Sequence, residues 1–347
     1  MKKIVSIIGA RPQFIKHAPI DIALKKYFKT ITIHTGQHFD FNMSSIFFRD
    51  LKISDPDYTL TLPKTSLQSA QTAAMMTQLE ELLIKESPNA VLLYGDTNST
   101  LAGALSAVKL SIPIIHIEAG LRSFNRHMPE EVNRIITDVF SYLLFCPTST
   151  AIMNLKKEGI NHDRIFNCGD VMKDTLDLVE NKLNRMVDFP YYYVTIHRPY
   201  NTDDLERIKY ILGVLNLLNN KVIFSLHPRT KNILKSNSID LASFKNINFI
   251  DPVGYLENIS YQKFCECVIT DSGGMQKEAY MLKKKCITIR TETEWVETLN
   301  NGWNTLLFEN LEDIKSIIEK TYGNYIPNLY GDGKSAVNIV ETINQFI

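Results

Sequence analysis

Short apolar runs recur along this chain, each closed by a glycine or a polar residue and each followed by a segment of helical periodicity. Ile4-Val5-Ser6-Ile7-Ile8 closes at Gly9, Ile31-Thr32-Ile33 runs into His34-Thr35-Gly36-Gln37-His38, and Ala90-Val91-Leu92-Leu93-Tyr94 closes at Gly95-Asp96. The run over 112–117 ends at Glu118. Continuous apolar strands alternating with helices predict a parallel sheet covered on both faces. At 347 residues the chain is long for one such core, so two domains are expected. Around 169–190 the pattern turns polar and a second strand series begins, at 191–195, 222–226, 247–250, 268–270 and 286–289. The break is placed after residue 172, with a polar helix over 170–186 and final helices over 311–321 and 336–346.

Composition narrows the function classes. The 38 basic residues balance the 38 acidic ones, so no bulk charge points to nucleic acid or an anionic membrane. No stretch reaches the roughly 18 uninterrupted apolar residues of a spanning helix. Met1-Lys2-Lys3 leads into a first strand, not a signal peptide. Cys146, Cys168, Cys265, Cys267 and Cys286 are scattered, and the Cys265-x-Cys267 pair lacks a second pair to make a metal site. Buried free thiols in a cytoplasmic protein are the expectation.

Polar groups fall repeatedly at strand exits: Arg11, His38, Asp96, Glu118, His197, His227 and Asp271-Ser272-Gly273-Gly274. In doubly wound sheets those exits share one edge, where ligands bind. Two such domains predict two edges confronting each other across a cleft. Arg11 and Lys16 at a helix start suit a phosphate, as do the Gly-Gly pair and the helix after it, with Glu278 placed to accept from a ribose hydroxyl. Asp96, Glu118 and Glu130 form a carboxylate set suited to general acid/base work. Two other readings stay open for them: pairing with Arg122 and Arg134 to hold loops, or a metal cluster of Asp96, Glu118 and His116. His197-Arg198 could act on a phosphate leaving group, and Pro228 fixes the exit at His227. The elbow of a nucleophilic triad is absent.

Read together, Gly9-Ala10-Arg11-Pro12, Thr35-Gly36-Gln37-His38, Gly95-Asp96-Thr97 and His116-Ile117-Glu118-Ala119-Gly120-Leu121-Arg122 resemble motifs of the UDP-N-acetylglucosamine 2-epimerases. So do Pro129-Glu130-Glu131-Val132-Asn133-Arg134, His197-Arg198 and Asp271-Ser272-Gly273-Gly274-Met275-Gln276. The resemblance implies two Rossmann-like doubly wound domains of the glycosyltransferase-B type. Residues 1–172 would form the first, joined by a C-terminal helix at about 334–347, and 173–333 the UDP-binding second.

It also implies a non-redox inversion at sugar carbon 2, without cofactor or metal, in which UDP is eliminated and then added back. Asp96, Glu118 and Glu130 would be the acid/base candidates, with His197 at the diphosphate or in proton transfer. Arg11, Lys16, His38, Arg134, Arg198, His227, Tyr255, Ser272, Gly273, Gly274 and Glu278 would bind the UDP-sugar. A cytoplasmic homodimer making precursors of bacterial surface polysaccharide is the family expectation. Two segments depart from the pattern. Pro199-Tyr200-Asn201 lacks the acidic residue of the allosteric site in many members, so activation by substrate is not carried over. Thr293-Glu294-Trp295-Val296-Glu297 is similar to the branch that epimerises UDP-2,3-diacetamido-2,3-dideoxyglucuronate. Hydrolysing relatives, which release free sugar and UDP, share most of these motifs. A glycosyltransferase of the same fold would need an acceptor, and a non-catalytic nucleotide-sugar sensor would leave the carboxylates without a task.

Overall fold

A computed structural model describes residues 1–37, 51, 53–63, 67–160 and 162–347. The chain forms two compact units, Met1–Asn181 with Asn328–Ile347, and Lys182–Pro327.

In the first unit the strands are β1 (Lys3–Ile8), β2 (Lys29–His34), β3 (Tyr58–Thr59), β4 (Ala90–Tyr94), β5 (Ile114–Ile117), β6 (Leu143–Cys146) and β7 (Ile165–Asn167). They pair in the order β3-β2-β1-β4-β5-β6-β7, every ladder parallel. The order reverses between β1 and β4, which makes their exits the topological switch point. Val5, Ile7, Val91 and Leu93 pack one face of this sheet against Met75, Leu79 and Leu83 of the helix Gln68–Glu86 and the alanines of Asn98–Lys109. Gly9 ends β1 where a Cβ would lie 2.0 Å from Thr35 Oγ1 and 2.2 Å from Ser99 Oγ, so no larger residue fits.

The second unit repeats the plan with β8 (Tyr191–Thr195), β9 (Lys221–Ser225), β10 (Ile247–Ile250), β11 (Cys267–Thr270), β12 (Lys285–Thr288) and β13 (Asn304–Leu306). The order β10-β9-β8-β11-β12-β13 is again all parallel, with its switch point between β8 and β11. Val194, Phe224, Ile269 and Ile287 center its core.

The division falls later than the break expected after residue 172. The helix Val171–Val179 stays with the first unit because Asp174 accepts the N–H groups of Ser335 (3.3 Å) and Ala336 (2.8 Å), opening the helix Ser335–Phe346. The chain returns at Asn328, ahead of the expected 334, since Tyr330 O already accepts from Asp170 N at 2.9 Å. The helix expected over 170–186 stops at Val179, followed by a 3-10 turn at Glu180–Lys182. Asn184 there donates to Lys182 O at 3.0 Å, a local bond that competes with the helical ladder. Likewise 311–321 is a 3-10 turn, Leu311–Asp313, and a short helix, Ile314–Glu319. The sequence after Gln37-His38 also predicts a helix containing Met43 to Leu51, and of that stretch only Leu51 is among the described residues.

Candidate active site

Helix Arg11–Leu24 starts directly behind β1, with proline in its first turn and no side-chain cap from Ala10. Gln13 supplies the missing partner. Its Oε1 accepts from the backbone of Gly9 (2.8 Å) and Ala10 (3.0 Å), and its Nε2 donates to Tyr94 O and Thr100 Oγ1, both at 3.0 Å. One buried amide thus joins the exits of β1 and β4. Arg11 opens this helix half-buried, and Lys16, one turn on, is buried with its ammonium on Glu118 Oε2.

Glu118 ends β5 with φ +71°, the left-handed region that a residue with a Cβ enters only at a cost of about 1–3 kcal/mol. Its N–H and that of Ala119 both reach Phe145 O at 3.0 Å, which locks the turn onto β6. Gly95 is also left-handed, φ +61°, and a Cβ there would lie 2.9 Å from Glu118 Oε2 and 3.4 Å from Lys16 Nζ. The next residue, Asp96, is partly exposed and takes a 2.5 Å bond from Arg134 Nη2. Arg134 Nη1 is held by buried Glu131 (2.9 Å), which also accepts from the backbone of Ser123 and Phe124. Asn133 donates to Asp96 O at 2.9 Å. Glu130 is half-buried in the first turn of Pro129–Phe140, where the helix dipole favors its charge.

Behind these groups lies a network that is not visible in the sequence. His116 is fully buried, its Nδ1 2.7 Å from Asp138 Oδ1 and its Nε2 2.8 Å from Gly95 O. Asp138 Oδ2 accepts from Gly120 N (3.1 Å) and Arg122 Nη1 (2.7 Å), and Arg122 forks onto Glu158 at 2.7 and 2.6 Å. Burial opposes charge on Asp138, but the bonds and charges of His116 and Arg122 outweigh it and hold the carboxyl below its usual range. The turns carrying Asp96 and Glu118 are therefore braced by one buried charge network. Both ring nitrogens of His116 are occupied, which excludes the metal cluster of Asp96, Glu118 and His116. Among the described residues no group of three metal-type side chains forms a cation site. Of the alternative loop-holding pairs, Arg134 does join Asp96, whereas Arg122 serves Asp138 and Glu158.

In the second unit, His197 and Arg198 follow β8, and Asp271 and Ser272 follow β11. Asp271, fully buried, accepts from His197 N (3.0 Å) and Arg198 N (2.9 Å). Asn201 Nδ2 bonds it at 3.1 Å. His197 stacks on His227, ring centroids 5.0 Å apart, and His227 caps Pro228–Ser236 by accepting from Arg229 N at 3.2 Å. That helix was not expected from sequence. Ser272 precedes helix Gly273–Met281, whose Gly273 lies against Glu294, a Cβ there falling 2.4 Å from Glu294 Oε1. Glu278 is buried and accepts from Gln262 Nε2 at 2.7 Å. Tyr255 is buried at the start of Tyr255–Phe264. His38 lies outside the described residues. Asp138 is not legible in the sequence because its partner His116 is 22 residues away, whereas Gln13 sits three residues after Ala10, the local spacing of a helix-capping glutamine.

Two successive all-parallel units with charged side chains at their switch points define a two-domain α/β protein with the glycosyltransferase-B type of fold. Residues 21–344 match the family model described as UDP-N-acetylglucosamine 2-epimerase. A "UDP-N-acetylglucosamine 2-epimerase homolog" of Methanococcus maripaludis is 48% identical, covering 98% of this chain and 99% of its own. The UDP-2,3-diacetamido-2,3-dideoxy-D-glucuronate 2-epimerase of Pseudomonas aeruginosa is 44% identical, covering 98% of each. Among solved structures, the Methanocaldococcus jannaschii UDP-GlcNAc 2-epimerase in complex with UDP-GlcNAc and UDP is similar at TM-score 0.90 and 41% identity, covering 99% of both chains. The chain belongs to the UDP-N-acetylglucosamine 2-epimerase family, and it is an isomerase.

Proposed function

We propose that the protein inverts carbon 2 of a UDP-linked 2-acetamido sugar by eliminating UDP and adding it back. The 2-acetamido group is what the substrates in the relatives' names have in common. The observation that carries the chemistry is Glu118, a carboxylate held in left-handed backbone at a sheet switch point, on the ammonium of Lys16 and beside Gly95-Asp96. Strain of this kind persists where the surroundings impose it, and it clusters at active sites.

In elimination the carbon 1–oxygen bond breaks with its electron pair leaving on UDP, while the carbon 2 proton passes to a carboxylate. A 2-acetamidoglucal is left. Re-addition returns a proton to the opposite face of carbon 2 and the UDP oxygen to carbon 1. The carbon 2 proton is not acidic, so positive charge developing at carbon 1 must assist, and fixed carboxylates stabilize it. Asp96, Glu118 and Glu130 are assigned to this acid/base and electrostatic work, with His197 serving the departing diphosphate. Arg11, Lys16, His38, Arg134, Arg198, His227, Tyr255, Ser272, Gly273, Gly274 and Glu278 are assigned to binding. In this reading Met1–Asn181 with Asn328–Ile347 forms the sugar-side domain, and Lys182–Pro327 the UDP-side domain.

A cytoplasmic homodimer belongs to the same reading. Among the described residues no helix is long and apolar enough to cross a membrane. Val132, Val139 and Phe140 expose an apolar strip on Pro129–Phe140 that a second copy would cover.

The test is a panel of UDP-N-acetylglucosamine and UDP-2,3-diacetamido-2,3-dideoxyglucuronate, each incubated with purified protein and separated by anion exchange. An epimeric UDP-sugar with no acceptor present is expected. Free sugar plus UDP, or turnover only with an acceptor, would overturn the proposal.

A further inference from the structure

We propose that Asp271 is a positioning residue that keeps a proton on Nδ1 of His197, so that Nε2 is the one ring nitrogen that gains and loses a proton during turnover. The inference rests on the reading that His197 serves the departing diphosphate.

The two residues leave β8 and β11, neighboring strands whose exits form the switch point of the second sheet. His197 Nδ1 stands 3.2 Å from Asp271 Oδ1. The other contacts of Asp271 come from donors: the N–H of His197 at 3.0 Å to both oxygens, the N–H of Arg198 at 2.9 Å and the amide of Asn201 at 3.1 Å. A carboxylate already facing three donor groups has only lone pairs to offer a fourth neighbor, so Nδ1 must carry the hydrogen. Asp271 is fully buried, whereas the His197 side chain is 29% exposed, so the carboxylate acts on solutes only through the ring.

The stacked partner gives an internal contrast. His227 Nδ1 accepts from Arg229 N at 3.2 Å, which puts that ring's proton on Nε2 when neutral. The two imidazoles therefore hold opposite tautomers 5.0 Å apart. During elimination, the imidazolium of His197 gives its Nε2 proton to the phosphate oxygen that takes the electron pair of the broken carbon 1–oxygen bond. The ring is left neutral with its proton still on Nδ1. Re-addition reverses the transfer.

Asp271→Asn separates positioning from folding. Its amide oxygen can take the place of Oδ2 and accept from Arg198 and Asn201. Its NH₂ then faces Nδ1, which must accept, and the proton moves to Nε2. In full-length protein with ¹⁵N-labeled histidine, the neutral His197 ring should show the Nδ1–H tautomer in the wild type and Nε2–H in Asp271→Asn. In the same variant kcat should fall on the order of a hundredfold or more, the range of lost general acid/base help, while UDP affinity by calorimetry stays within about threefold. His197→Asn should lose as much alone as with Asp271→Asn added, because both act through one ring. An Nε2–H tautomer in the wild type, or full turnover in a folded Asp271→Asn, overturns the proposal. If Asp271→Asn does not fold, the wild-type tautomer decides. Normal turnover in His197→Asn overturns the diphosphate role while the tautomer result stands separately.

Discussion

Lys16 and Glu118 meet as a buried ion pair, although one sits in the helix behind β1 and the other at the exit of β5. β4 lies between those two strands, and its exit residue is Gly95, whose missing Cβ leaves room for both side chains. A carboxylate in strained backbone is thus held by a cation from two strands away. Neither is redundant. Lys16→Met and Glu118→Gln should each lower kcat/KM by at least about tenfold, and the double variant should lose far less than the product, a coupling of about 1.4 kcal/mol or more. Steady-state assays of the four proteins in the cycle check it. Multiplicative losses would mean that the pair does not act as a unit.

The network behind the site predicts a stability effect that does not pass through substrate. Arg122 is nearly inaccessible and pairs with both Asp138 and Glu158. Arg122→Met leaves the buried Asp138 facing only His116 and Gly120 N, and breaking such a pair costs about 3–5 kcal/mol. Urea unfolding followed by circular dichroism should show the midpoint fall without a change in slope. Asp138→Asn should be milder, because it removes the charge together with its need for a partner.

Packing at the exit of β1 predicts a loss of another kind. Gly9→Ala places a methyl group on the Thr35 and Ser99 hydroxyls, which are themselves hydrogen-bonded at 2.7 Å. Overpacking of this sort costs about 1–3 kcal/mol. Gly9→Ala combined with Ser99→Ala should recover part of it in thermal melts.

A pH effect follows from His17. Burial pushes its pKa down to about 4, and the ring sits 2.8 Å from Tyr94 Oη. The folded protein holds this ring neutral, whereas the unfolded chain protonates it near the ordinary 6.5. Its contribution is therefore intact above about pH 6.5 and lost as pH falls toward 4, on the order of 3 kcal/mol in all. His17→Gln should flatten that limb of the stability–pH curve measured in urea.

Much of this molecule is legible in its sequence, for a physical reason. β1, β4, β5, β8 and β11 are buried on both faces, so each reads as a mainly apolar run with a candidate site residue within the next three positions. Asp96, Glu118, His197 and Ser272 could be located that way. One edge strand of each sheet does not stand out: Tyr58–Thr59 and Asn304–Leu306 are too short and too polar. What tunes the site was not legible either. His116 reaches Asp138, and Gln13 reaches Tyr94 and Thr100, across gaps that no periodicity marks. Asp271 was visible as part of a motif, but its bond to His197 exists only because β8 and β11 are neighbors.

The central claim is that the carbon 2 proton is removed and replaced. Full-length protein incubated with UDP-N-acetylglucosamine or its 2,3-diacetamido uronate counterpart in deuterated water tests it most directly, with the UDP-sugar pool read by NMR and mass spectrometry. One deuterium at carbon 2 of the epimer is predicted, with Glu118→Gln slowing its appearance. An epimer formed without label at carbon 2 would contradict the account.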